Sequence, residues 1–449
     1  MIFARAFRLT LSTLSVGSAG LGLLSMLPRL SPRTWLTQMA LNEFPALPTL
    51  IGGAVSAAGW RYNSRTAFTL GTLGAAMSSL PALSVRATIR NMDNEMRSAL
   101  GWDYETAIQP EALARCQPSR WSARRTFTAH RRTRRDVSVE RDVVYCRRPT
   151  RDLKLDVYQP KRIAASGQQP AASGGRTRLV QADRINPVPT TTMAGARRDS
   201  MYAVRDYNGD PTANSQEPTA LLPAVIVLHP GAWSSGDKSW VFTPHDMNLA
   251  AKGYVVFDIQ YRFTGETLWP GQMDDCREAI RWVKANAAKY GVDPTRIALF
   301  GRSSGGHIAL LTAYQARGEF ADTAVCAVVG IYPPSNFSMV GERVDHRIEA
   351  LMGGDLVDMP ERYYDASPLN HIRPESPPTL LVHGQKDGLV YAINSEVMRW
   401  ALRRAGVPAA LLRVPWAHHA FDGVPGGLGA QLVQYDIDRF LAWSLYHER

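Results

Sequence analysis

Ile297-Ala-Leu-Phe-Gly301-Arg302-Ser303-Ser304-Gly305-Gly306-His307 is the stretch whose reading decides the fold. Ile297 to Phe300 is continuously apolar, as expected of a strand in a parallel sheet covered on both faces, where no watery side imposes alternation. The run then breaks at a turn and continues as a helix. Gly301 and Gly305 flank Ser303 where a Cβ would have no room, so the pattern G-x-S-x-G places a serine on a sharp strand-to-helix corner. A free serine hydroxyl is a poor nucleophile, and such a corner can hold it exposed, beside a base, at a helix start. The bland alternative is an ordinary glycine-flanked turn.

Working outward, Ala224–Leu228, Tyr254–Phe257, Ala327–Ile331, Thr379–Val382 and Leu411–Val414 are further short apolar runs, separated by helical patterns. Alternating strand and helix predicts a parallel sheet. Val137–Tyr145 and Leu153–Tyr158 alternate at period two instead, which predicts a half-exposed antiparallel hairpin opening the domain. Between the flanking strands, Met273, Cys276, Ile280, Val283 and Ala287 recur at helical spacing as one buried stripe, with Arg281, Lys284 and Lys289 turned to water. Sites in such sheets lie at the carboxyl ends of the strands.

Upstream of the serine, Gln272-Met-Asp-Asp275-Cys-Arg-Glu-Ala279-Ile-Arg-Trp282-Val-Lys and then Tyr290-Gly291-Val-Asp293-Pro294-Thr-Arg296-Ile297 complete a succession that resembles the α/β-hydrolase esterases of the hormone-sensitive-lipase and feruloyl-esterase-like group. The resemblance covers roughly the last three hundred residues. It implies an α/β-hydrolase fold, a mostly parallel sheet with helices on both faces, and a Ser-Asp-His triad in that chain order. Ser303 is the nucleophile by its motif. His383-Gly384-Gln-Lys-Asp387-Gly-Leu-Val390 resembles the family's H-G-x-x-D-x-x-V turn and makes Asp387 the acid, with a plain helix cap as the alternative. In Trp416-Ala-His418-His419-Ala420-Phe421 the family register selects His419 as the base, with His418 its neighbour one position away.

The resemblance also implies an oxyanion hole. His229-Pro230-Gly231-Ala232-Trp233 resembles the family's H-G-G-G-W loop but carries Pro230 and Ala232 in place of glycines. Pro230 has no N–H, yet the donors implied are the next two residues, so Gly231 and Ala232 join the amide of Ser304. If Ala232 must take a positive φ, the loop is strained. Arg302 stands where relatives carry an acid; pairing with an acid beneath the site and contact with a substrate anion both remain open. Tyr261, Arg262 and Asp275 match supporting positions. His307 should pack under the elbow and His383 should brace its own loop. Trp233, Trp269 and Trp416 all fall near predicted strand ends, where they could line an acyl or aromatic pocket or simply pack.

The 449 residues exceed one ordinary core, and the formal charge of +11 is uneven. Much of it clusters between Arg115 and Arg151. Before it, Leu9–Leu27, Phe44–Trp60 and Thr66–Val85 carry no charge and are rich in Gly, Ala, Ser and Leu, a composition that suits closely packed membrane helices. The expected organisation is membrane helices over 1–90, a basic juxtamembrane linker over 91–136 that meets anionic lipid, and a catalytic domain over 137–449 with a disordered insertion at 161–221. A secretory signal ending near Ser25 and a soluble helical cap are the alternatives. Arginines flank the first block on both sides, so the side of the membrane stays open.

Cys276 and Cys326 fall on expected core elements, while Cys116 and Cys146 are far apart in sequence and their pairing stays open. No C-x-x-C or H-E-x-x-H spacing supports a metal, and no cofactor is expected. The expected activity is that of a membrane-anchored, multi-pass or N-terminally tethered carboxylic ester hydrolase acting on a small-molecule or lipid ester. An amidase, arylformamidase or exopeptidase would use the same three side chains, and a membrane scaffold on an inert fold is the non-catalytic alternative. The arginines lack interleaved aromatics, which argues against nucleic acid. Oligomeric state and natural substrate are not encoded in these patterns.

Overall fold

A computed structural model of the chain describes residues 2–27, 32–128, 136–161, 220–337, 346–424 and 426–446. The insertion expected over 161–221 lies outside these residues, positions 161, 220 and 221 apart, and so does Arg131–Arg135 of the basic cluster. Residues 338–345 also lie outside them.

Eight strands form one sheet: β1 (Val137–Arg147), β2 (Asp152–Pro160), β3 (Leu222–Leu228), β4 (Val255–Ile259), β5 (Val292–Arg302), β6 (Ala327–Ile331), β7 (Thr379–Gly384) and β8 (Ala409–Val414). Their order is β1-β2-β4-β3-β5-β6-β7-β8. The hairpin β1-β2 is antiparallel and β2 joins β4 antiparallel, whereas the pairings from β4 through β8 are parallel. This mostly parallel mixed sheet with helices on both faces fits the α/β-hydrolase arrangement.

Both faces are covered, and the reason is legible in single strands. Ala224, Ile226 and Leu228 of β3 enter one apolar cluster, while Val225 and Val227 enter the other. A strand buried on both sides gains from apolar residues at every position, which is why these runs do not alternate. Leu228 pairs with Gly301, Gly301 with Gly330, and Gly384 with Val414. The segments that leave β3, β5, β7 and β8 therefore emerge at the same end of the sheet.

The chain opens on the helices α1 (Ile2–Met26), α2 (Pro32–Glu43), α3 (Ala46–Arg61) and α4 (Arg65–Leu100). Small residues let α1, α3 and α4 approach at backbone distance. A Cβ on Gly52 would stand 2.5 Å from the amide of Ala75, and one on Gly71 would stand 2.5 Å from the amide of Ser56. A Cβ on Gly74 would strike Ser18. The outward positions are apolar instead, with Leu9, Val16, Leu50, Trp60 and Leu83 all exposed. Two of these helices, α1 over Leu9–Met26 and α4, are long and apolar enough to cross a membrane. The second block forms α3, which at 16 residues is shorter than a typical span.

The boundary expected at residue 90 falls inside α4. Beyond its apolar half, this helix buries Thr88, Met92 and Met96, and the two methionines join the catalytic-domain core. Tyr104, Ile108, Ala112 and Cys116 follow them into that core, so much of the segment read as a linker is packed. Its apolar stripe is diluted by Arg90, Asp93, Glu95 and Arg97, which hid it from a hydropathy reading. The cysteine pairing left open is resolved, and one burial expectation changes. Cys116 and Cys146 are free thiols, and Cys326 is only half-buried, its Sγ 2.9 Å from the Thr295 carbonyl.

Candidate active site

Ser303 sits between β5 and the helix Ser304–Tyr314, at φ 52° and ψ −120°. A non-glycine residue there carries about 1 kcal/mol or more of backbone strain. The corner is held by Ser303 N donating to Ile331 O at 2.9 Å. Its glycines are obligatory on steric grounds: a Cβ on Gly301 would enter the backbone of Gly305, and one on Gly305 the backbone of Leu228.

The structure brings Ser303, Asp387 and His419 together. His419 Nε2 lies 3.0 Å from Ser303 Oγ, and its Nδ1 lies 2.7 Å from Asp387 Oδ2. With Nδ1–H donating to the carboxylate, Nε2 is left to accept the serine proton. The three are nearly enclosed, at 8 %, 4 % and 5 % exposure for Ser303, Asp387 and His419. Burial alone would raise the Asp387 carboxyl, but His419 and His383 beside it hold it well below the ordinary carboxylate range. The amides of Leu389 and Val390 also donate to its Oδ1, each at 2.9 Å. The turn is therefore built around an ionised Asp387, and the helix-cap alternative does not hold, since these amides precede the helix Ile393–Arg404, which starts from Ala392 with no side-chain cap.

His418 points elsewhere, to Asn42 Nδ2 at 3.1 Å, and burial keeps it neutral by lowering its pKa to about 4. His383 braces its loop, Nδ1 against Ser395 Oγ at 2.7 Å and Nε2 against Val390 O at 2.8 Å. His307 lies beneath the elbow, where its Nδ1 accepts from Trp233 Nε1 at 3.2 Å, and burial lowers its pKa to about 4.

Gly231, Ala232 and Trp233 have φ of 147°, 52° and 58°. The strain expected at Ala232 is present, and it extends to Trp233. Gly231 has no substitute, since a Cβ would collide with Ser235 O. The loop folds on itself through Ser234 N and Ser235 N, which donate to Gly231 O at 3.1 and 3.0 Å. That leaves the Gly231 and Ala232 amides without an acceptor among the described residues. Ser304 opens its helix, so its amide has no intrahelical acceptor. Tyr261 ties the two parts, donating to His229 O at 3.0 Å and lying 3.3 Å from Ser304 Oγ.

Trp233 and Trp269 both pack on His307, with ring centroids 5.4 and 5.3 Å away, and Phe337 adds a third ring at 4.8 Å from the same imidazole, all three rings within the core cluster. Trp416 does not join them. It belongs to the apolar cluster on the other face of the sheet. Tyr332, which follows β6, was not singled out by any motif: its ring lies 4.4 Å from that of His419, and its hydroxyl donates to Asp422 at 2.5 Å. Arg302 is resolved in favour of the acid beneath the site, its Nε 2.6 Å from Asp422 Oδ2. Asp275 gathers Arg262 and Arg148, as a support should. Among the described residues no group of His, Cys, Asp or Glu could hold a metal ion.

Residues 212–402 match the BD-FAE family model. The chain is 32% identical over 237 residues to the probable carboxylic ester hydrolase LipM of Mycobacterium tuberculosis, covering 50% of this chain and 55% of that protein. Against the esterase LipQ of the same organism it is 34% identical over 236 residues, covering 50% and 56%. It thus spans about half the length of these curated relatives. Among solved structures, a truncated form of a carbohydrate esterase from gut microbiota aligns with 68% of this chain and 95% of its own, at 22% identity and a TM-score of 0.48.

Proposed function

We propose that the chain is a membrane-anchored serine carboxylic ester hydrolase. One observation carries the chemistry: the continuous line from Asp387 Oδ2 through the His419 imidazole to Ser303 Oγ, with links of 2.7 and 3.0 Å. Esterase and ester-hydrolase relatives over half the chain agree with it.

Ser303 Oγ attacks the ester carbonyl carbon while its proton passes to His419 Nε2, and the ionised Asp387 steadies the imidazolium that results. The carbonyl oxygen becomes an anion facing the amides of Gly231, Ala232 and Ser304. When the tetrahedral adduct collapses, the C–O bond to the alcohol breaks and the alcohol leaves with the proton from Nε2. Water then gives a proton to the same nitrogen and adds its hydroxyl to the acyl-enzyme; collapse frees the acid and restores Ser303 with that proton.

Anchoring is supported by the bundle of α1, α3 and α4, whose small residues face inward and whose large apolar residues face out, the inverse of a soluble bundle. The experiment is labelling with a fluorophosphonate probe on membrane and soluble fractions, followed by identification of the modified peptide. We expect the label on Ser303 in the membrane fraction, and Ser303→Ala should lower turnover of a short p-nitrophenyl ester by on the order of 10³-fold or more. Unchanged turnover would reject the nucleophile; label confined to the soluble fraction would reject the anchor.

A further inference from the structure

We propose that Trp35 and Asn42 on α2 are positioning residues for the catalytic histidine, so that the N-terminal helices are a working part of the active site and not only its tether. The inference rests on the ester-hydrolase reading above and goes beyond it.

The acid and the base both ride on loops. His419 lies between β8 and the helix Leu428–Leu445, in a stretch where Ala420 adopts a left-handed conformation with φ 62°. Asp387 lies in the turn after β7. The sheet fixes where these loops begin, but not the last few tenths of an ångström of an imidazole, and a misplacement of about 1 Å can cost on the order of 10²-fold in rate. Ser25 of α1 and the side chains of α2 supply that outer hold. Trp35 Nε1 donates to the carbonyl of His419 itself at 3.2 Å. Asn42 Nδ2 donates to Nε2 of His418 at 3.1 Å. Lys386, the neighbour of Asp387, donates to the Ser25 carbonyl near the end of α1 at 2.7 Å. Directly downstream, Glu43 Oε2 accepts the Gly429 amide at 2.7 Å, in the first turn of the helix that follows the histidine loop.

The character of α2 argues that it is there to locate and not merely to cover. A helix kept in place by apolar burial turns its hydrophobic stripe inward. Here Gln38, Asn42 and Glu43 are buried while Leu36 and Ala40 face out. Gln38 in turn reaches back to the end of α1, its Nε2 3.2 Å from Leu24 O. Directional hydrogen bonds add little net stability, about 1 kcal/mol each, but they fix relative position. The neutral state of His418 fits the same role, because an uncharged imidazole can accept the Asn42 N–H and places no positive charge beside His419.

The test uses the full chain in detergent and a soluble short-chain p-nitrophenyl ester. Trp35→Phe removes the Nε1–H and keeps most of the ring, Asn42→Ala removes the amide, and Leu36→Ala on the outward face is the control. We expect the Trp35→Phe/Asn42→Ala pair to lower kcat by about 10-fold or more with KM within about twofold, and to move the acid limb of the kcat-against-pH profile, because the base itself is displaced. Thermal midpoints should stay close to the parent, and the control should keep its kcat. An unchanged kcat and pH profile in the pair would overturn the proposal, as would a fall in kcat that merely tracks a loss of folded protein. Failure of the underlying reading is separate: it would show as Ser303→Ala retaining activity, whatever the α2 variants do.

Discussion

Arg302 and Asp422 form an ion pair at 2.6 Å with both side chains nearly enclosed, so the residue before Ser303 is bonded to the residue three beyond His419. The Ser303 turn and the His419 loop are therefore joined twice, once through the Ser303–His419 hydrogen bond and once through this pair. Tyr332 extends the second link, donating to Asp422 and lying against the His419 ring. The guanidinium also lies over the rings of Phe242 and Phe300, with its carbon 4.2 and 4.7 Å from their centroids.

Removing one partner strands a buried charge. Asp422→Asn should destabilise the fold by about 3 kcal/mol or more and lower kcat as well, read by denaturant unfolding and by ester turnover. Combining it with Arg302→Met should recover part of the loss, and strictly additive changes in stability would mean the two side chains are not coupled.

Two adjacent histidines have distinct surroundings, which makes the assignment of the base testable by a pair of substitutions. His419→Ala should lower kcat by on the order of 10³-fold, and Asp387→Asn by a comparable factor, since the tautomer is then no longer fixed. His418→Ala should cost about 10-fold, through the loop alone. Reversed magnitudes for the two histidines would transfer the role to His418.

Glu43 offers a prediction in pH. Burial raises its pKa from 4.5 to about 8, against the hydrogen bonds from Gly429 and Ala430 that favour the charged form. A folded-state value above the unfolded one means that the folded form binds the proton more tightly. Its contribution is fully present below about pH 4.5 and is lost as pH rises through about 8. Glu43→Gln keeps an acceptor without the titration. The stability of the parent relative to this variant should therefore fall between pH 5 and pH 8, as measured by unfolding midpoints across that range, and a constant difference would sink the assignment.

Close helix packing in the N-terminal bundle depends on absent side chains. Gly71→Leu, placed where even a Cβ would meet the Ser56 amide, should separate α3 from α4 and destabilise the bundle by about 2 kcal/mol or more. Leu83→Ala on the exposed face should be close to neutral in detergent. Thermal unfolding of the two variants side by side provides the measurement, and equal midpoints would count against a tightly packed bundle.

Much of the sheet was legible because buried parallel strands are written as unbroken apolar runs and the hairpin β1-β2 as an alternation. The elbow was legible because glycine is required on both sides of Ser303 by contacts that any side chain would violate. Tyr332 was not, since a tyrosine after a strand carries no pattern that distinguishes a ring laid against an imidazole from one packed in a core. Trp416 was grouped with Trp233 and Trp269 because all three follow strand ends, yet it enters the opposite layer; the turn after a strand decides the face, and spacing does not record it.

By itself the sequence determined the order of strands and helices and the serine corner, because each rests on local sterics or short-range periodicity, while Asp387 and His419 were marked out by the resemblance to a family. Only the tertiary structure decided that His419 and not His418 faces Ser303, that Arg302 closes on Asp422, and that α4 passes without a break from an apolar half into the core at Met92 and Met96. It also decided that Trp35 and Asn42 reach a loop more than 370 residues away. Such contacts join chain segments whose separation is bridged by packing of the whole sheet, and no local pattern in the polypeptide encodes a meeting of that range.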